Sequence, residues 1–205
     1  MCIRDRAKPV YDEMRTELMS GQYLDLLEQA VGGGSIERAR RVIRFKSAKY
    51  TIERPLHLGA ALAGAGPDLA AVYTAYGLPL GEAFQLRDDV LGVFGDPSET
   101  GKPAGDDLRE GKRTVLVTTA LDRASPADGA RLRRHLGDRH LQPAGVEQAR
   151  AVITDTGALA HIEDLIVTLT SAALQALGAP SASLVAEPAR SVLAALAVAA
   201  TERSV

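Results

Sequence analysis

Apolar residues return along this chain at intervals of three and four, and nowhere do β-branched and aromatic residues alternate over a long run. That pattern confines the fold to helices. Ala and Leu dominate, and both are strong helix formers. With 205 residues, 46% of them hydrophobic, the chain can bury a sizeable core. A charged fraction of 24% argues against disorder. The formal net charge of -2 disfavours a nucleic-acid binder, because phosphate neutralisation needs a basic face. A single cysteine, Cys2, excludes a disulfide framework and a Cys-based zinc module, and points to a reducing, cytoplasmic setting. The longest clean apolar run, Val192 to Ala200, is far short of the roughly 20 residues that cross a bilayer, so stable membrane insertion is not expected.

Punctuation divides the chain into helices. Pro9 suits a helix start, with Met14, Leu18, Leu24 and Leu27 following at helical spacing. Gly32-Gly33-Gly34 breaks this helix, and Ser35 can cap the next, outlined by Ile36, Val42, Ile43 and Tyr50. Leu56 to Ala63 reads as a short, tightly packed helix. From Pro67 a long apolar helix runs to about Phe94, with a kink expected at Pro79. Residues 95–111 are rich in Gly, Pro and charge and read as a loop. At least four further helices are split near Ser125-Pro126, Pro143, Gly157 and Gly178-Ala179-Pro180. The expectation is an all-α antiparallel helical bundle with one polar loop in its middle.

Three clusters carry candidate chemistry. Phe84-Gln85-Leu86-Arg87-Asp88-Asp89 lies late in the long helix, where Gln85 and Asp88 share a face. Two adjacent carboxylates toward a helix C-terminus oppose the macrodipole and call for a compensating cation. A hard divalent ion such as Mg²⁺ would supply it; a solvated helix end with two surface acids is the alternative. The following loop interleaves Lys102, Arg109, Lys112 and Arg113 with Asp96, Asp106 and Asp107. Acids for a metal beside bases for phosphate suit a Mg²⁺–diphosphate site. A solvated, salt-bridged loop is the alternative. Lys46-Ser47 pairs an ammonium with a hydroxyl and could hold a phosphoryl group, or be an ordinary exposed pair.

Together these residues resemble the trans-polyprenyl synthetase family, the isoprenyl diphosphate synthases. Gly21-Gln22-Tyr23-Leu24-Asp25 is similar to the family's GQ-x-x-D helix, and Lys46-Ser47-Ala48 to its K-T-A site with Ser for Thr. Phe84 to Asp89 looks like the start of its second aspartate-rich motif. Gly101-Lys102 and Asp106 to Thr114 look like the loop after it. The resemblance implies the isoprenoid synthase type of helical bundle. It implies Mg²⁺-dependent condensation of isopentenyl diphosphate with an allylic diphosphate, giving a longer polyprenyl diphosphate such as geranylgeranyl diphosphate. By the same resemblance Asp88 and Asp89 hold Mg²⁺. Lys46, Lys102 and Lys112 hold the allylic diphosphate, Ser47 and Gln85 add hydrogen bonds near the reacting carbons, and Gln22 lies near the cavity. Tyr23 and Tyr50 are expected to be packing residues. A homodimer is the implied state of the full-length protein.

The chain departs from the family pattern in two places. Gly92 stands where the second motif normally has its third Asp, a DD-x-x-G form that looks typical of actinobacterial members; Asp96 or water could fill the gap. The first aspartate-rich motif, expected before Tyr11, has no counterpart. Residues 1–6 show no apolar or helical pattern and look like a foreign leader. Residues 7–205 then read as the C-terminal part of one synthetase domain, lacking its first helices, with negligible turnover and poor solubility expected. A non-catalytic synthase-like subunit and a plain helical interaction module are the competing readings.

Overall fold

The computed structural model describes residues 3–31, 34–101 and 103–202. Among these residues the chain is all-α, with no strand. Helix α1 spans Ile3–Val31 and α2 spans Ile36–Val42. The chain then continues without a break through a π-helix, Ile43–Glu53, into α3, Arg54–Ala63. Helix α4 runs from Pro67 to Phe94, the bounds expected from the sequence. Pro79 lies inside α4, which continues through it as one element. Ser35 caps α2 as expected, its hydroxyl accepting from the Arg38 backbone N–H at 3.2 Å.

Three sequence expectations require correction. Helix α1 starts at Ile3, so residues 4–6 are helical and Pro9 is internal. Asp5 suits the positive end of the helix dipole, and the Arg6 guanidinium donates to the Leu62 carbonyl at 3.1 Å. The segment 95–111 contains two short helices, α5 at Pro97–Thr100 and α6 at Asp106–Glu110. Tyr23 and Tyr50 do not pack in the core of this chain: they are 66% and 42% exposed.

The chain divides into two compact units. One comprises residues up to 25, 41–85 and 166–202. Its core joins Tyr76 and Leu80 of α4 to Ala173 and Leu177 of α10 (Ala158–Gly178) and Ala197 of α11 (Ala189–Thr201). The Tyr76 hydroxyl donates to the Leu193 carbonyl at 2.7 Å, and burial pushes its pKa up to about 12. A satellite cluster of Val72, Ala182 and Val185 lies alongside Leu193.

The other unit comprises residues 26–40 and 86–165. It is built on α7 (Val115–Arg123), α8 (Pro126–His135) and α9 (Pro143–Asp155), which pack against one another. Every residue of α7 from Val115 to Ala120 is buried. Leu86, Val90, Leu108, Leu132, Ile153 and Ile162 are each at most 2% exposed. No single helix among the described residues is long and apolar enough to cross a membrane.

Candidate functional site

In the first unit two glycines bring backbones together around Lys46-Ser47-Ala48. A Cβ on Gly21 of α1 would stand 2.5 Å from the Lys46 backbone nitrogen and 2.9 Å from its Cα. A Cβ on Gly81 of α4 would stand 2.7 Å from the Ala48 Cβ and 2.9 Å from its carbonyl oxygen. Only glycine lets both helices approach the π-helix this closely. The tripeptide is thereby held from two sides. Lys46 Nζ donates to Asp25 Oδ2 at 2.6 Å, and Ser47 Oγ donates to Gln85 Oε1 at 2.6 Å. Ser47 and Gln85, separated by 38 residues in sequence, are therefore neighbours. Gln22 is exposed on α1.

An ionic network lies further along the π-helix. Lys49 Nζ donates to Glu17 Oε1 at 2.5 Å; Arg54 donates to Glu17 at 2.7 Å and to Glu13 at 2.7 Å. His57 joins it, with Nδ1 3.2 Å from Arg54 Nη1 and Nε2 3.0 Å from both the Ala70 carbonyl and Thr74 Oγ1. Burial works against the charge of Glu17. The hydrogen bonds from Arg54 and Lys49 outweigh it, and hold the carboxyl below its ordinary range. This network fastens α1 and α3 to the π-helix that carries Lys46 and Ser47.

The second unit holds the acids. Asp88 is exposed on α4, whereas Asp89 is 5% exposed. Arg87 forms a two-pronged pair with Glu163, both bonds 2.7 Å. Asp107, at the start of α6, is 6% exposed. It reaches back over Gly92, where a Cβ would fall onto its Oδ2 and lie 2.5 Å from its Cγ. Its Oδ1 accepts from Lys112 Nζ at 2.5 Å, and Lys112 also pairs with Glu110 at 2.9 Å. Burial raises the Asp107 carboxyl above its ordinary range, Lys112 opposes the rise, and Asp88 and Glu110 add to it. Burial likewise works against the Lys112 ammonium, but Asp107 and Glu110 more than offset it and keep it protonated beyond the ordinary lysine range.

Two loop expectations change. The three atoms nearest to a Cβ at Gly92 belong to Asp107 and not to Asp96. The Asp96 carboxylate accepts from the Ser98 N–H and hydroxyl, both at 2.7 Å, and caps α5. Asp107 is the residue that fills the gap, although 15 positions separate it from Gly92. Arg109 also pins the loop: its guanidinium donates from Nη1 to the Ala104 carbonyl at 2.6 Å and from Nε to the Leu141 carbonyl at 3.3 Å. Lys102 lies outside the described residues. Among the described residues, no three Asp, Glu, His or Cys side chains are grouped so as to hold a metal ion by themselves.

Comparison with known proteins follows this geometry. The family model for polyprenyl synthetase matches residues 4–153. A geranylfarnesyl diphosphate synthase of Aeropyrum pernix is 35% identical over 161 residues, covering 77% of this chain and 48% of that protein. A geranylgeranyl diphosphate synthase of Mycobacterium tuberculosis is 31% identical over 156 residues, covering 76% of this chain and 44% of that protein. The chain spans about half the length of these curated relatives. Among solved structures, the geranylgeranyl pyrophosphate synthase of Corynebacterium glutamicum, complexed with isoprenyl diphosphate and magnesium, is 44% identical. It superposes with a TM-score of 0.92 over 98% of this chain and 56% of that one.

Proposed function

Because this chain belongs to the polyprenyl synthetase family, we propose that its residues serve the transfer of a prenyl group from an allylic diphosphate to isopentenyl diphosphate. The product class is a longer polyprenyl diphosphate such as geranylgeranyl diphosphate. The observations that carry the reading are two bonds within separate units of one chain: Ser47, beside Lys46, on Gln85, and Lys112 on Asp107 in the loop that follows Asp88 and Asp89.

Mg²⁺ fits the cluster of Asp88 and Asp89. Its donors are hard carboxylate oxygens, and the described residues form no full protein cage. Mg²⁺ ordinarily takes one or two carboxylates and completes its shell with phosphate oxygens and water. Asp88 and Asp89 would hold it. When bound, the ion would neutralise charge on the departing diphosphate.

The chain's own residues supply the rest. Lys46, Lys102 and Lys112 hold diphosphate oxygens as point charges, and the ammonium groups stabilise the leaving anion as the allylic bond breaks. Ser47, whose one hydroxyl proton goes to Gln85 in the free chain, would turn that proton to a diphosphate oxygen on binding. Gln22 is a weaker contact on the adjacent helix. The broad apolar face that α1 leaves exposed, Met19, Tyr23 and Leu26 among it, is proposed to receive a second copy of the chain. A cytoplasmic setting is proposed with it.

Equilibrium dialysis against labelled farnesyl diphosphate and labelled farnesol, in Mg²⁺ buffer, tests the reading. Retention of the diphosphate but not the alcohol is expected. Equal retention of both, or of neither, would overturn it.

A further inference from the structure

We propose that a cavity bordered by α7, α8 and the chain entering α2 binds a small phosphate monoester through arginine, without a metal ion. All of it lies in the second unit, and it measures about 340 Å³. Ser35, Ile36, Arg113, Leu121, Asp122 and Arg133 line it. Asp88, Asp89, Asp107 and Lys112 are not among its walls, so it is separate from the acid cluster. The division falls between two adjacent residues. The Lys112 ammonium is spent on Asp107 and Glu110, whereas Arg113 borders the cavity.

The walls carry two guanidiniums against one carboxylate, Asp122. Among the described residues neither Arg113 nor Arg133 is engaged in an ion pair. The acid beside Gly34, Glu28, is held by Arg38 at 3.2 Å, and Asp128 of α8 is held by Arg131 at 3.4 Å. Two like charges on one small cavity repel each other until an anion enters. Both arginines are also held in place. Arg133 Nη1 stands 3.0 Å from where a Cβ on Gly129 would be, so that glycine makes room for the guanidinium. The Thr118 hydroxyl donates to the Arg113 carbonyl at 3.4 Å, and Arg113 Cβ lies 3.6 Å from where a Cβ on Gly34 would be. The Ser35 hydroxyl accepts from the Arg38 N–H and keeps its own proton for a ligand. Guanidinium forks and a hydroxyl suit the oxygens of a phosphate. Asp122 lowers the charge of the site to one net positive, which suits a monoester better than a diphosphate. Ile36 and Leu121 offer apolar surface to a short stem. The volume is at the small end of the roughly 300–1,000 Å³ typical of ligand pockets. It has room for a phosphate and a few carbons, and none for a polyprenyl chain.

The test is calorimetric titration of n-butyl phosphate, and of inorganic phosphate, into the chain with chelator present. Saturable binding of n-butyl phosphate is expected, with a Kd below about 1 mM and roughly tenfold or more tighter than that of inorganic phosphate. Arg113→Gln and Arg133→Gln are each expected to weaken it about tenfold or more, the loss that goes with a hydrogen bond to a charged group. Asp88→Asn is expected to leave this metal-free binding unchanged. Should Arg113→Gln fail to fold, Arg133→Gln decides, because position 133 is exposed. No saturable binding, equal affinity for the two phosphates, or unchanged affinity in Arg133→Gln would overturn the inference. A loss of binding in Asp88→Asn would move the anion to the acid cluster and overturn it too.

Discussion

Lys46 and Lys112 are each paired with an acid before any phosphate arrives, and the consequences of removing them differ from those of removing a core contact. The Lys46–Asp25 pair is 35% and 22% exposed at its side chains, so its contribution to stability is about 0–1 kcal/mol. A charge-assisted bond to a diphosphate is larger, roughly 1.5–3 kcal/mol. Lys46→Ala is therefore expected to leave the melting temperature nearly unchanged while weakening farnesyl diphosphate binding roughly tenfold or more. Paired melting and binding measurements separate the two. Gly81→Ala should behave in the opposite way. The added methyl meets Ala48, and overpacking of this kind costs about 1–3 kcal/mol. Its melting temperature should fall, and a variant as stable as wild type would show that the π-helix has room to spare. Gly21 and Asp25 were visible in the sequence as family-like residues. What they touch was not, because the partner of each lies at least 21 residues away.

At the scale of elements, the π-helix Ile43–Glu53 is the part that the sequence concealed. Its buried positions are Ile43, Ser47, Ala48 and Glu53, too few of them apolar to set a period that the sequence could reveal. Its cause is tertiary, since glycines on α1 and α4 admit its backbone and the Glu17 network ties it down. By contrast, the bounds of α4 and the cap at Ser35 were legible, because Pro67, Gly95 and the Ser35 hydroxyl act locally. The segment 95–111 reads as a loop in sequence because its helices are only four and five residues long. The Glu17 network carries its own pH dependence. The folded state holds the Glu17 carboxyl below its ordinary value of 4.5, so the unfolded chain takes up the proton first as pH falls. Its stabilising contribution is present above pH 4.5 and is lost as pH drops through the folded value. Glu17→Gln should lower the melting temperature at pH 7, where a broken buried pair costs about 3 kcal/mol. The gap from wild type should narrow as pH falls below 4.5. Melting curves that stay parallel down to pH 3 would contradict this.

At the scale of the whole molecule, the all-α fold followed from periodicity alone, and the family followed from four short motifs. The placement of Asp107 over Gly92 followed from neither, because no local signal links a helix glycine to a loop acid. The exposed apolar residues of α1, including Met19 at 69% and Tyr23 at 66%, predict self-association. Light scattering across a concentration series should show masses above one chain; a monodisperse monomer throughout would contradict the proposed docking of a second copy. The central claim is that these 205 residues hold a diphosphate through Mg²⁺. Calorimetric titration of farnesyl diphosphate into the chain, with Mg²⁺ and again with chelator, tests it most directly. Saturable binding with Mg²⁺, abolished by chelator and weakened in Asp88→Asn, is the expected result. Binding of equal strength without the metal, or no binding with it, would contradict the account.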